Sequence, residues 1–272
     1  MGSPPQDRLL ERWLGLPEVA SAHGGQVDHV TLMVHGLMFA LFLLWGGFFV
    51  YSLWRFRQGA HPRAHYAGLR TRAPGYVEVA VAGVEVALLV GFSIPLYSQW
   101  VDDLPPESDA TVVRVVAQQF AWNIHYPGPD GVFGPTDPAL IDPAENPLGI
   151  DRESDAGQDD VSTVNRLHVP VDKPVLIHLS SQDVVHSFGV TEFRVKQDAI
   201  PGSVFPVWFE PTITTDAMRD RKGDPAFDYE IGCFQLCGNS HATMRGFVIV
   251  ETQAGFEAWM DEEQSYLGDD FW

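Results

Sequence analysis

Val30–Trp54 contains no Asp, Glu, Lys or Arg, and no other feature so narrows what this chain can fold into. As a helix rising 1.5 Å per residue, a run of this length exceeds a hydrocarbon core of about 30 Å. Trp45, Tyr51 and Trp54 crowd its second half, and Arg55 and Arg57 follow at once. That is the pattern of an interfacial aromatic belt and its cationic anchor. Tyr76–Trp100 is a second apolar run, interrupted only by Glu78 and Glu85 and closed by Tyr97 and Trp100. A soluble protein can bury one such helix. Two that flank a single Arg-rich loop predict a transmembrane helical hairpin, with helices at about 30–54 and 76–100 inside a segment 29–103.

Charge then orients the hairpin. The chain carries a formal net charge of −19, but unevenly. Residues 55–75 hold five arginines and no acid, whereas residues 101–272 hold 30 acids against 10 bases. The positive-inside rule makes the loop 55–75 cytoplasmic and puts both termini outside. Residues 1–28 lack an apolar core before a small-residue cleavage site, so they are expected to be an outer lead-in and no signal peptide. Within them Leu9, Leu10, Trp13 and Leu14 fall on one helical face. Glu78 and Glu85 are seven apart and share a face of the second helix. A carboxylate at that depth is costly unless it faces water or protein, so Glu78 is either an interfacial residue or a proton-path or subunit-contact residue. The acidity excludes nucleic acid as a partner, which would need a basic footprint.

From residue 104 the texture changes. Thr111–Gln118 (TVVRVVAQ) and Phe120–Tyr126 (FAWNIHY) read as strands, residues 127–161 as a long Pro/Gly/Asp-rich loop. Further short strands are expected at Arg166–Val171, Lys173–Ser180, Ser187–Val195, Ser203–Phe209, Tyr229–Gly232 and Gly246–Glu251. Phe256, Trp259, Met260 and Leu267 recur at helical spacing and predict a closing helix over Ala254–Leu267. Residues 104–272 are therefore expected to be an all-β antiparallel sandwich or barrel with a C-terminal helix.

Both cysteines lie in one short segment, GCFQLCGNSHATM, with the pattern Cys-x3-Cys-x3-His-x2-Met over Cys233, Cys237, His241 and Met244. Thiolate, imidazole and thioether are the soft set that selects copper. A blue-copper site needs one cysteine; a second allows two thiolates to bridge two coppers. A further histidine must come from elsewhere, and His186, at the start of a strand in SQDVVHSF, is the strongest candidate. His125, His168 and His178 sit inside strand patterns and read as ordinary half-buried residues. A Cys233–Cys237 disulfide would leave His241 and Met244 unexplained, and zinc would not favour Met244. No Cys-x-x-Cys-His occurs, so no covalent haem is expected on this chain.

On these residues the chain resembles subunit II of the haem-copper oxygen reductases, the cytochrome c oxidase subunit II family. The matching stretches are Cys233–Met244, Ser181–Phe188, Phe193–Gly202 (FRVKQDAIPG) and Gln119–Gly128 (QFAWNIHYPG). The resemblance implies a two-helix anchor and a cupredoxin-like Greek-key domain on the outer face of a bacterial inner membrane. It implies a dinuclear copper (CuA) centre on His186, Cys233, Cys237, His241 and Met244, with the backbone carbonyl of Gln235 as sixth donor. It also implies electron transfer from cytochrome c, or a similar outer donor, to haem in a partner subunit I. There oxygen would be reduced and protons moved, and Glu78 resembles the family's glutamate near a proton-uptake mouth. Two departures stand out. Gln235 replaces a glutamate whose carboxylate helps bind magnesium at the subunit I interface, which puts that magnesium in doubt. Phe120 stands where relatives often carry a tryptophan implicated in electron uptake, while Trp122 is retained. The ligand set is equally that of a CuA subunit in a nitric-oxide reductase, and a membrane-anchored copper carrier is the remaining alternative.

Overall fold

The computed structural model describes residues 13–63, 66 and 71–269. Leu9 and Leu10 of the amphipathic lead-in, and part of the 55–75 loop, lie outside them. The chain divides into two compact units, residues 26–103 and the remainder.

In the first unit, α1 runs Gly24–Arg55 and so begins before the apolar run itself. Its early polar residues are absorbed locally: Thr31 Oγ1 donates to the Val27 carbonyl at 2.9 Å and His35 Nδ1 lies 2.8 Å from the Thr31 carbonyl. Such back-bonding lets hydroxyl and imidazole groups sit inside a helix. Arg55 occupies the last turn, where a cation meets the negative helix end. The second apolar run is not the single regular helix expected. It consists of α2, Ala73–Leu88, a π-helical turn at Leu89–Ser93, and α3, Ile94–Val101. Pro95 is the physical reason, since it has no N–H to give the Gly91 carbonyl four residues back and its ring crowds that carbonyl. Gly24–Arg55 and Ala73–Gln99 are both long and apolar enough to cross a membrane, and their most apolar windows are unburied. Glu78 is exposed on α2.

The second unit is a sandwich of two five-stranded sheets. One has the order β3 (Val161–Val164), β2 (Ala121–Tyr126), β1 (Thr111–Gln118), β5 (Val175–Ser181), β8 (Phe205–Phe209). The other has the order β4 (Arg166–Pro170), β10 (Arg245–Glu251), β9 (Tyr229–Cys233), β6 (His186–Val190), β7 (Val195–Ala199). β1 alternates buried and half-buried residues along its whole length, the period-two signature of a strand with one face on a core. Val113, Val115, Ile177 and Leu179 from the first sheet meet Leu167, Phe188, Ile231 and Val248 from the second in one continuous apolar cluster.

Several expectations are corrected here. The sheets are mixed, because β1 pairs with β5 and β10 with β4 in parallel. The strand expected over Ser187–Val195 stops at Val190; a 3₁₀ turn at Thr191–Phe193 and a left-handed Arg194 (φ 56°) fold it into a hairpin with β7. Phe120 lies in the β1–β2 turn, outside the strand. β3, β7 and the helix α4 (Thr215–Lys222, capped by Thr214 and ended by Gly223 at φ 64°) were not anticipated. The C-terminal helix α5 spans Gln253–Asp269 and stacks Trp259 on His168, with ring centroids 4.1 Å apart. The described lead-in belongs to this unit: the Ala20 N–H donates to the Glu192 carbonyl at 2.8 Å and the Ala20 carbonyl accepts from Thr212 N–H at 2.9 Å.

The 127–160 loop carries little regular structure yet is tightly tied. Asp160, fully buried, accepts from His125 Nε2 at 2.5 Å and from the Gly134 N–H at 2.8 Å, and Arg152 donates to its backbone carbonyl. His125 is thus a buried, hydrogen-bonded residue, more enclosed than its strand pattern suggests. Removing the carboxylate leaves buried donors without acceptors, a loss on the order of 3 kcal/mol. Asp160→Ala should therefore lower the thermal midpoint of the outer unit, read by circular dichroism of the full chain in detergent. An unchanged midpoint would contradict this account of the loop.

Candidate metal centre

Three segments converge at one end of the sandwich. The β5–β6 connection delivers His186 as the first residue of β6. β9 delivers Cys233 as its last residue. The loop beyond β9 returns through Cys237 and a 3₁₀ turn at His241–Thr243 to Met244, immediately before β10. Strand register holds these pieces together. β6 pairs with β9 at Phe188↔Cys233 and Gly189↔Gly232, and β9 pairs with β10 at Gly232↔Arg245.

Cys233 Sγ and Cys237 Sγ are 3.7 Å apart. A disulfide needs about 2.05 Å, so these are two free thiols. Twice a metal–thiolate bond of about 2.3 Å easily covers that gap. Each sulfur has its own imidazole: His186 Nδ1 is 3.9 Å from Cys233 Sγ and His241 Nδ1 is 3.6 Å from Cys237 Sγ. Each also has a weaker donor. Met244 Sδ lies 3.8 Å from Cys237 Sγ, and the Gln235 carbonyl oxygen lies 3.2 Å from Cys233 Sγ. The six donors singled out from the sequence are all brought together. His186, Cys237 and Met244 are buried, Cys233 and His241 half-buried, and the Gln235 side chain points to solvent. The donor chemistry fits copper: soft sulfur and imidazole, enclosed on the protein side.

The surroundings orient these donors. His186 Nε2 donates to Asp183 Oδ1 at 2.8 Å, which leaves Nδ1 for the sulfur side. Burial works against the Asp183 carboxylate. The His186 hydrogen bond and those from the Gln119 and Val184 backbone N–H groups nevertheless hold its pKa below the usual carboxylate value. Burial, reinforced by the neighbouring Cys233 sulfur, pushes the Cys237 thiol up to about 11. Trp122 is fully buried and packs edge-on to His186 and Phe188, at centroid distances of 6.2 and 5.7 Å. With no surface of its own, Trp122 cannot be touched by an external donor. Phe120, half-buried in the β1–β2 turn, lies over Gly238, and Leu236 on the cysteine loop is 78% exposed. Glu78 lies in the other unit. Sequence reasoning gave no role to Asp183 or Gln119. The only signal for Asp183 is an acid three residues before the candidate histidine, and for Gln119 there is none.

Residues 111–252 match the family described as cytochrome c oxidase subunit II, periplasmic domain. Among curated proteins, the chain is 33% identical to the alternative cytochrome c oxidase subunit 2 of Bradyrhizobium diazoefficiens over 96% of this chain and 87% of that one. It is 30% identical to the cytochrome c oxidase subunit 2 of Cereibacter sphaeroides, over 78% and 68%. It is 29% identical to the heme-copper oxidase subunit 2 of Aeropyrum pernix, over 77% of each. A membrane-anchored chain whose cupredoxin-like outer domain gathers one histidine and two cysteines into a copper-compatible cluster thus belongs to the cytochrome c oxidase subunit II family.

Proposed function

We propose that this chain is the electron-accepting subunit of a membrane terminal oxidase. It would take electrons from cytochrome c or a similar outer donor and pass them to haem in a subunit I partner, for oxygen reduction coupled to proton translocation. The observation that carries the reading is the pair of free sulfurs 3.7 Å apart, each with its own imidazole and its own weak donor. Two copper ions held there on His186, Cys233, Cys237, His241, Met244 and the Gln235 carbonyl would supply a one-electron centre, with the charge change spread over both metals.

The remaining work belongs to the chain's own side chains. Asp183 fixes the ring orientation of His186. Trp122, Phe188 and the sandwich core keep water from the buried side. Phe120, Phe234 and Leu236 present an apolar rim on the solvent side, and Phe120 rather than Trp122 is the surface candidate for electron uptake. The 30 acids against 10 bases in residues 101–272 favour a basic donor by steering. Gln235 offers no carboxylate to a magnesium ion at the partner interface. Glu78 is proposed as a proton-path residue facing that partner, and the bilayer of a bacterial inner membrane as the anchor's setting, with the loop 55–75 cytoplasmic.

Copper analysis and EPR of the full chain in detergent should give two coppers per chain and one unpaired electron shared over both nuclei. Cys233→Ser or Cys237→Ser should abolish that signal. A single-copper hyperfine pattern in the unaltered chain, or rapid copper loss to a mild chelator, would sink the reading; the latter would favour a carrier. Consumption of nitric oxide instead of oxygen by the purified complex would move the chain to the reductase branch.

Copper uptake should also release protons, because the Cys237 thiol, at about 11, is protonated at pH 7. A weakly buffered titration at pH 7 should acidify as copper binds, and the Cys237→Ser chain should release fewer protons. Equal release from both would contradict a Cys237 thiolate ligand.

If the acidic surface steers the donor, the bimolecular rate of electron uptake should fall severalfold from low to physiological ionic strength, where the Debye length shrinks to about 8 Å. A flat salt profile would make that charge merely solubilising.

A further inference from the structure

Among the described residues Gln119 hydrogen-bonds to neither sulfur nor imidazole, yet it is bonded to both loops that carry them. Its backbone N–H donates to Asp183 Oδ2 at 2.7 Å, while Asp183 Oδ1 holds His186 Nε2 at 2.8 Å. Its side-chain Nε2 donates to the Cys237 backbone carbonyl at 2.6 Å. One residue in the β1–β2 turn thus spans the His186 loop on one side and the cysteine loop on the other. The fit on the cysteine side is close. Gly238 sits at φ 140°, and a Cβ there would lie 2.8 Å from Gln119 Nε2 and 3.0 Å from Phe120 Cζ, so the glycine makes room for the contact.

We propose that Gln119 is a positioning residue for the metal centre, a clamp that sets the separation and orientation of the His186 and cysteine loops. This rests on the dinuclear copper reading. The carbonyl of Cys237 is part of the backbone that aims its Sγ, so anchoring that carbonyl restricts where the sulfur can go. The carboxylate of Asp183 aims the His186 ring, so anchoring its second oxygen restricts where the ring can turn. Without the clamp the donors remain, but the distances between them relax. Outer hydrogen-bond partners of metal ligands commonly contribute about 10- to 100-fold in metal affinity.

The test uses the full chain in detergent, loaded with copper. Gln119→Met keeps the bulk and loses the donor; Gln119→Glu keeps the shape and offers an acceptor to a carbonyl. Both should retain two coppers per chain, with altered hyperfine splitting, a shifted reduction potential and copper loss to a chelator about 10- to 100-fold faster. Gln118→Ala, one residue earlier and bonded to neither loop among the described residues, should match the unaltered chain. Wild-type spectra and chelator rates in both Gln119 variants overturn the proposal, as does an equal shift in Gln118→Ala. Loss of the copper-free far-UV signal or of its cooperative melt in both Gln119 variants also overturns it, since Gln119 would then be a folding residue. Absence of the two-copper signal from the unaltered chain is a different failure, that of the function reading itself.

Discussion

Two sulfur atoms held 3.7 Å apart with no disulfide between them are the constraint around which the outer domain is arranged. Nothing intrinsic to two thiols keeps them at that spacing, and a flexible loop would let them separate or oxidise. The sandwich supplies the rigidity. Cys233 ends a strand paired on both sides, with β6 and with β10, so its position is set by two ladders. Cys237 and Met244 are packed into the same apolar cluster as the core residues of both sheets. Phe234, between Cys233 and the exposed end of the loop, lies so close to Gly189 that a Cβ there would sit 2.6 Å from its ring. A side chain at Gly189 would lift the loop off the sheet, and the glycine is needed for that close approach.

Charge is handled differently in the two halves of this arrangement. In the outer unit, two carboxylates are each met by several donors. Asp183 takes bonds from His186, Gln119 and Val184, and Asp160 takes them from His125 and Gly134. Asp160, fully buried, obeys the rule that a buried charge must be paired or hydrogen-bonded, whereas Asp183 keeps part of its side chain in solvent. Most of the other acids remain at or near the surface, where they cost little and build the long-range field proposed to steer a donor. The five arginines between the apolar helices set the opposite sign on the loop side, so the chain is electrically polarised along its own length.

Much of this was legible in the residues. An uncharged 25-residue run has few alternatives to a membrane helix, and β1 follows its alternation to the residue, Thr111–Gln118. The ligand set was legible because four of its members fall in one short segment of distinctive chemistry. The misses have physical causes. Ser187–Val195 looks continuous because β-branched and aromatic residues lie on both sides of Arg194, and a left-handed arginine leaves no compositional trace. Parallel pairing of β1 with β5 cannot be seen locally, since it depends on where a distant strand arrives. Pro95 was visible, but its effect inside an apolar run, a π-helical turn and not a stop, depends on neighbouring carbonyls finding other donors. Gln119 was invisible as a support for the centre because its partners lie 118 and 64 residues away in sequence, whereas Asp183 left only the faint signal of an acid three residues before His186.

The burial of Trp122 bears on how an electron could reach the centre. Sealed between His186 and Phe188, it can couple to the centre only from the protein side. The solvent side is closed by Phe120, Phe234 and Leu236, apolar groups on an outer unit whose net charge is strongly negative. A small apolar contact on an acidic domain suits a partner that must arrive quickly and leave quickly. The acidic surface would accelerate encounter, and the small apolar contact would keep the complex short-lived. Gln119 and Phe120 are adjacent in the β1–β2 turn, so the residue proposed to hold the two ligand loops also fixes the backbone of the aromatic group proposed for electron uptake. A change at Gln119 would therefore alter the geometry of the centre and its outward contact together, coupling the redox properties of the site to the surface proposed to receive the electron.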